Sequence, residues 1–335
     1  MKSAWRKSEP ESIFPAGLAL ELPGRLVDRR PTAAPPSAGN LTAPSPLYRA
    51  RLWRIGLWLA RTLPSGLDLR LARAAAALAW RLAVRRREIV VRNLLPIFRN
   101  HRPAAERHAR KLFHEFALKL LDLWRCENGR ADHQWFADWT GWEIFLAARA
   151  RGRGVLLVTP HLGNWELGGP FLARRGIPLL VLTRDEPDPR LTALRRNSRA
   201  RWGVETLVVG NDTFAILEII RRLEAGATVA LLVDRPPPPT AVDVTLFGRR
   251  FSASIAAAEL ARASGCAIVP TFIVRRPGGY RAEILPEIVY DRARIGNRNG
   301  RMQLTGEIVR AFEPVIRQYA AQWYHFVSVW PDSPA

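Results

Sequence analysis

Directly after the apolar run Val155-Leu156-Leu157-Val158-Thr159-Pro160 the chain reads His161-Leu162-Gly163-Asn164-Trp165-Glu166. An imidazole emerging where a buried strand ends, with a carboxylate five residues later, is a base with a group to tune it. In an α/β sheet the crevice at a strand's carboxyl end is where ligands bind. In one regular helix the two side chains would stand about 140° apart. They meet if His161 lies in the strand-to-helix loop and Glu166 in the first helical turn, with Asn164 as N-cap. The helix dipole would then favour ionised Glu166. A charged carboxylate beside an imidazole fixes its tautomer and stabilises the imidazolium formed on taking a proton. Such a pair suits deprotonation of a hydroxyl nucleophile. The plainer alternative is a capping Glu and a His satisfied by backbone. The other five histidines, His101, His108, His114, His133 and His325, lie in less site-like surroundings.

The elements around this string set the fold class. From residue 154 apolar strands at 154–159, 177–182, 204–209, 227–233 and 267–274 alternate with helical stretches at 164–175, 188–202, 212–225 and 252–265. This rhythm predicts an α/β core over 151–330, a mostly parallel central sheet flanked by helices. Residues 242–251 read as a hairpin and 301–321 as a long closing helix. Upstream, 47–150 reads as helical, with helices over 68–84, 87–98 and 103–126, and 1–46 as a disordered Pro- and Ala-rich lead segment. At 47–63, Tyr48, Leu52, Ile55, Leu59 and Leu63 form one stripe, with Arg51, Arg54 and Arg61 on another side and Trp53 and Trp58 at the flanks. That is a basic amphipathic helix, either lying at a membrane interface or packed on the core.

The longer string 159–166 resembles the lysophospholipid acyltransferase-like superfamily, and within it the late acyltransferases of lipid A biosynthesis. The resemblance covers residues 47–330. It continues through Thr183-Arg184, Arg199 four residues before Gly203, Val233-Asp234, Leu246-Phe247-Gly248, Cys266-Ala267-Ile268-Val269-Pro270 and Gln322-Trp323-Tyr324. It implies transfer of a fatty acyl chain from an acyl-carrier-protein or CoA thioester to a hydroxyl of a phosphorylated glycolipid such as a lipid A precursor. A lysophospholipid, another glycolipid or an aminolipid is the alternative acceptor. His161 would be the general base and Glu166 its orienting partner, with direct attack on the thioester and no acyl-enzyme. Arg184 would hold a phosphate or the developing oxyanion. Asp234 would support the His161 region or order the loop, and Asn164, Asp234 and Arg199 join Arg184 in the expected substrate-binding set. Where the family commonly has Gln after the strand-terminal Asp, this chain has Arg235 and then four prolines, Pro236 to Pro239. The family's usual N-terminal membrane span is not expected here either.

Composition frames the partners. The net charge is +21, and of 51 basic residues four are Lys and 47 Arg. Arg binds phosphate and carboxylate bidentately, so the surface suits an acidic carrier protein and an anionic membrane. Arg is dispersed along the chain and no nucleic-acid motif occurs, which argues against a nucleic-acid partner. Cys126 and Cys266 form neither a CxxC nor a zinc cluster, and neither a metal nor a cofactor is expected. No signal peptide is expected, and no charge-free apolar run approaches the roughly 20 residues that span a bilayer. The expected location is the cytoplasmic face of the bacterial inner membrane, peripheral or monotopic.

Overall fold

Five consecutive apolar or weakly polar residues, Val155–Thr159, are all buried. A strand with no polar face belongs at the centre of a sheet covered on both sides. The computed structural model puts it there. The structure describes residues 49–331 apart from 131–134, 136, 137, 185 and 210–212. The expected lead segment over 1–46, along with His133, lies outside the described residues. Everything described belongs to one unit, Asn40–Ala335.

Four helices come first, α1 (Ala50–Thr62), α2 (Ser65–Leu82), α3 (Val84–Leu94) and α4 (Arg102–Glu127). Strand β1 (Asp138–Thr140) and α5 (Trp142–Ala150) lead into β2 (Val155–Thr159), α6 (Gly168–Ala173), β3 (Leu179–Thr183), α7 (Pro189–Ala200), β4 (Val204–Val208), α8 (Thr213–Glu224) and β5 (Thr228–Leu232). A hairpin of β6 (Ala241–Leu246) and β7 (Arg249–Ser254) precedes α9 (Ala256–Ser264), β8 (Ala267–Arg276) and β9 (Gly279–Ile284). Helices α10 (Arg298–Arg310) and α11 (Glu313–Gln318) end the chain's regular structure. The seven-stranded sheet has the order β1-β9-β8-β2-β5-β3-β4. All pairs are parallel except β8 with β9. The expected α/β fold with a mostly parallel sheet is what the chain adopts.

Three expectations need correction. The stretch 47–150 is not wholly helical, because β1 pairs in parallel with β9 at the sheet edge. The closing helix is two helices: α10 stops at Arg310, and α11 begins afresh with Pro314 in its first turn, where the missing N–H costs nothing. The helix expected over 252–265 starts only at Ala256, since residues up to Ser254 belong to β7. Helix α1 forms as expected, but it buries Ala50, Trp53, Gly56 and Ala60 and leaves Leu52, Ile55 and Trp58 exposed. Its apolar stripe is therefore not the face that packs on the core. No helix of the described residues is long and apolar enough to cross a membrane.

The loop after β2 is held from two sides. The Gly163 N–H donates to the Gln322 carbonyl and the Asn164 N–H to the Ile273 carbonyl, both at 2.8 Å. Tyr324 N–H closes the third bond on the His161 carbonyl at 2.8 Å. Gly163 has φ +62°, and a Cβ there would lie 1.9 Å from the Ile273 oxygen. Only glycine takes that conformation at that approach. Gly163→Ala is expected to cost about 1–3 kcal/mol from backbone strain alone, seen as a lower urea midpoint. An unchanged midpoint would mean that the loop adapts freely.

Candidate active site

His161 leaves the end of β2 and Asp234 follows β5, its neighbour in the sheet. The backbone ladder runs on past both strands, with Val233 N–H donating to the Thr159 carbonyl, so the two loops start side by side. Asp234 Oδ1 accepts from His161 Nδ1 at 2.6 Å. Its Oδ2 accepts three further bonds, from the His161 backbone N–H at 2.9 Å, Trp323 Nε1 at 3.0 Å and His325 Nε2 at 2.9 Å. An ionised carboxylate only accepts, so His161 carries its proton on Nδ1 and presents a bare Nε2. Burial pushes the Asp234 carboxyl up, but the two imidazoles and their N–H bonds prevail and hold it well below the usual range. Burial likewise pushes His161 down to about 4, against the pull of Asp234. The imidazole is thus neutral near pH 7 and able to take a proton.

The expected pairing of Glu166 with His161 is not formed. The Glu166 carboxylate is gripped by Arg199, through Nε at 3.2 Å and Nη2 at 2.9 and 3.0 Å, and by Arg195. Arg195 also bonds Glu186. Burial would raise the Glu166 carboxyl, but Arg195, Arg199 and Lys119 outweigh it and hold it down at about 2. The reason lies in local geometry: 165–167 form a 3-10 turn before α6, and this turns Glu166 toward α7. Asn164 begins that turn without a side-chain cap. It spends its amide instead on the Lys119 carbonyl and the Tyr280 hydroxyl, both at 3.3 Å.

One cavity of about 2070 Å³ opens beside these groups, lined by His161, Trp165, Glu166, Arg184, Arg195 and Arg199 and elsewhere mostly by apolar side chains. Of the expected substrate-binding residues, Arg184 lies exposed on its wall and Arg199 reaches it while bound to Glu166. Asn164 and Asp234 are buried behind the wall and do not line it. The Asp234 oxygens are taken up by internal bonds, and the Asn164 amide nitrogen by Lys119 and Tyr280, while Asn164 Oδ1 has no partner among the described residues. His161, Asp234 and His325 bring donor atoms within 4.8 Å of one another. A cation there would have to displace the N–H bonds that already fill the Asp234 oxygens.

Residues that sequence reading passed over complete the site. His325, set aside as unlike a site residue, is buried and bonded to Asp234. Its Nδ1 has no partner, and burial lowers its basicity. Lys119 of α4 is buried with its ammonium 3.1 Å from the centre of the Trp165 ring, which itself packs edge-on against His161. A cation–π contact supplies about 2 kcal/mol, less than the several kcal/mol an ammonium loses on burial. Burial accordingly pushes the amine well below the ordinary lysine value, with Glu166 opposing. A histidine near the chain end and a lysine at helical spacing carry no sequence signal of such roles. The terminal Gln322-Trp323-Tyr324 string alone was suggestive, and it stops one residue short of His325.

The Asp234 and Glu166 assignments separate in solution. Glu166→Gln removes one partner of a buried ion network and should cost about 3–5 kcal/mol of stability. It should leave the acid limb of kcat/KM in place, because Glu166 does not set the basicity of His161. Asp234→Asn removes a charge that raises the His161 pKa, so that limb should move to lower pH. Denaturant titration and a pH–rate profile read both. A limb that follows Glu166→Gln and ignores Asp234→Asn would reverse the assignment.

Comparison with known proteins places the chain in a family. The phosphatidylinositol mannoside acyltransferase of Mycobacterium tuberculosis (strain CDC 1551 / Oshkosh) is 26% identical over 186 residues, 55% of this chain and 57% of that protein. The chain thus spans little more than half the length of that relative. The phosphatidylinositol mannoside acyltransferase of Mycolicibacterium smegmatis is 23% identical over 224 residues, 67% of this chain and 69% of that protein. The lipid A biosynthesis lauroyltransferase of Escherichia coli (strain K12) is 30% identical over 243 residues, 69% of this chain and 76% of that protein. The profile of the bacterial lipid A biosynthesis acyltransferase family matches residues 45–331, and the chain belongs to that family.

Proposed function

We propose that this protein transfers a fatty acyl chain from a thioester, carried by acyl-carrier-protein or CoA, to a hydroxyl of a phosphorylated glycolipid. The observation that carries the reading is His161. Its Nδ1–H is fixed by Asp234 while Nε2 faces a large, mostly apolar cavity. In the reaction Nε2 takes the proton of the acceptor hydroxyl as the oxygen attacks the thioester carbonyl carbon. The C–S bond of the tetrahedral intermediate then breaks, and the imidazolium returns the proton to the departing thiolate. The products are an ester and a thiol, and the Asp234 charge stabilises the imidazolium in between. Glu166 serves by anchoring Arg195 and Arg199 on the cavity wall. Arg184, exposed at the same wall, is placed for a phosphate or the developing oxyanion.

Direct attack fits the remaining chemistry. Cys126 also lines the cavity, but burial pushes its thiol up to about 12, so it offers almost no thiolate for an acyl-enzyme. His161→Ala and Asp234→Asn should each lower transfer from acyl-carrier-protein or CoA donors, by about 10²- to 10⁴-fold for the base. Radiolabelled acyl transfer to a lipid A precursor, to lysophosphatidic acid and to total membrane lipid measures this. Near-normal transfer by His161→Ala would end the mechanism. Label moving only to another lipid would end the glycolipid assignment alone.

The outer helices support docking of the enzyme on the cytoplasmic face of the bacterial inner membrane, as a peripheral or monotopic protein. Trp58 of α1, Leu78 and Leu82 of α2 and Phe214 of α8 are exposed. Leu52 and Ile216, from the same outer helices, also line the cavity. Arg51, Arg54 and Arg61 of α1 are exposed with them, as an anionic surface would require. Trp58→Asp with Leu82→Asp should weaken flotation with vesicles containing anionic phospholipid, and salt should weaken it for the parent protein too. Undiminished flotation of the double variant would exclude this face.

A further inference from the structure

Among the described residues Lys119 is the only Lys or Arg that is buried. It also differs from the other inward-facing cations in its neighbours. Arg195 meets Glu166 and Glu186, Arg199 meets Glu166, and Arg125 meets Asp68 and Asp122. Lys119 meets aromatic rings: Trp165 at 3.1 Å, Tyr324 at 5.4 Å and Phe116 at 5.9 Å from the ammonium. Glu166 is the acid that acts on it through space, and that carboxylate is already shared by two guanidinium groups. Arg195 and Arg199 are thus met by hydrogen-bonded carboxylates, with Glu127 also acting on Arg195, whereas Lys119 has no carboxylate in direct contact among the described residues. Lys119, Trp165, Tyr324 and Phe116 all line the cavity, and Trp165 is the ring that packs on His161.

We propose that Lys119 is a binding site for a phosphate group carried by a substrate, one indole away from the general base. The proposal rests on reading the cavity as the acyl-transfer site. A lysine is a compact point charge that suits a phosphate oxygen, and the aromatic walls exclude the water that would screen the pair. The carboxylate that acts on the amine is shared with two guanidinium groups, and an arriving phosphate supplies a counter-charge of its own. The phosphate belongs either to the acceptor headgroup or to the donor's phosphate-bearing arm.

Binding experiments separate those sources without requiring turnover, so failure of transfer and failure of this site are distinct results. The acceptor pair is lauroyl-lysophosphatidic acid against monolauroylglycerol, and the donor pair is decanoyl-CoA against the decanoyl thioester of N-acetylcysteamine. Lys119→Met should weaken the phosphate-bearing member of one pair at least about tenfold, as loss of a charge-assisted bond does. Its phosphate-free partner should change less than about twofold. The pair that responds identifies the source. Because the chain has four lysines, changing Lys2, Lys7 and Lys111 to Arg leaves Lys119 as the sole 15N-lysine side-chain signal. That signal should shift with the phosphate-bearing probe and stay with its partner, which decides the matter even if Lys119→Met does not fold. Equal weakening within each pair, no weakening in either, or an unmoved Lys119 signal at saturation would overturn the proposal.

Discussion

The Asp234 carboxylate, accepting four N–H bonds in the interior, is the interaction on which the site depends. It joins three stretches of chain with no sequence proximity: the loop after β2, the end of β5, and the residues around Trp323 and His325. A buried carboxylate without those donors would be costly. With them it becomes the fixed point around which the three segments converge. The same bonds decide the chemistry, because a donor on Nδ1 leaves the lone pair of His161 on Nε2. Structure and tautomer follow from one set of contacts.

Two acids flank this histidine, and their surroundings give them different work. Asp234 is bound by N–H groups of a neutral indole, a backbone amide and two imidazoles, so its negative charge remains available to a developing imidazolium. Glu166 is bound by two guanidinium groups; its charge is already neutralised and its field at His161 is correspondingly weak. Proximity in sequence favours Glu166, and electrostatics favours Asp234. Once both are buried, their bonding partners favour Asp234 as the one that would tune the proposed base.

This contrast also explains how much could be read without coordinates. Strand β2 was legible because a parallel central strand is apolar on both faces, and His161 was legible because it follows such a strand directly. Asp234 could be marked as an acid at a strand end, but its partner stands 73 residues away, and nothing in the string specifies the sheet order that makes β2 and β5 neighbours. Strand β9 was missed because Arg281 and Glu283 break the apolar pattern. Its alternation, with Tyr280, Ala282 and Ile284 buried, and the Pro277-Gly278-Gly279 turn before it are the signals that could have found it. Lys119 was illegible in principle. A lysine in a charged amphipathic helix reads as a solvated group unless one knows that α4 turns that position toward the aromatic rings.

Helix α4 is the element through which the outer layer and the site are coupled. It packs against α1, α2 and α3 and places Lys119 and Asp122 one turn apart. Asp122 accepts from the Tyr280 hydroxyl at 2.8 Å and from Arg275 Nε at 3.0 Å. Tyr280 in turn accepts from Asn164, which stands three residues after the base. Arg275 is tied through its backbone to the Gln322 side chain in both directions, and the Gln322 carbonyl holds the Gly163 N–H. The loop that carries His161 is therefore braced against a 26-residue helix and two strands as well as against the segment from Gln322 to Tyr324. Side chains held this way lose little freedom when a substrate arrives. In the proposed reaction, an acyl chain reaching the cavity would meet a base whose position is already determined.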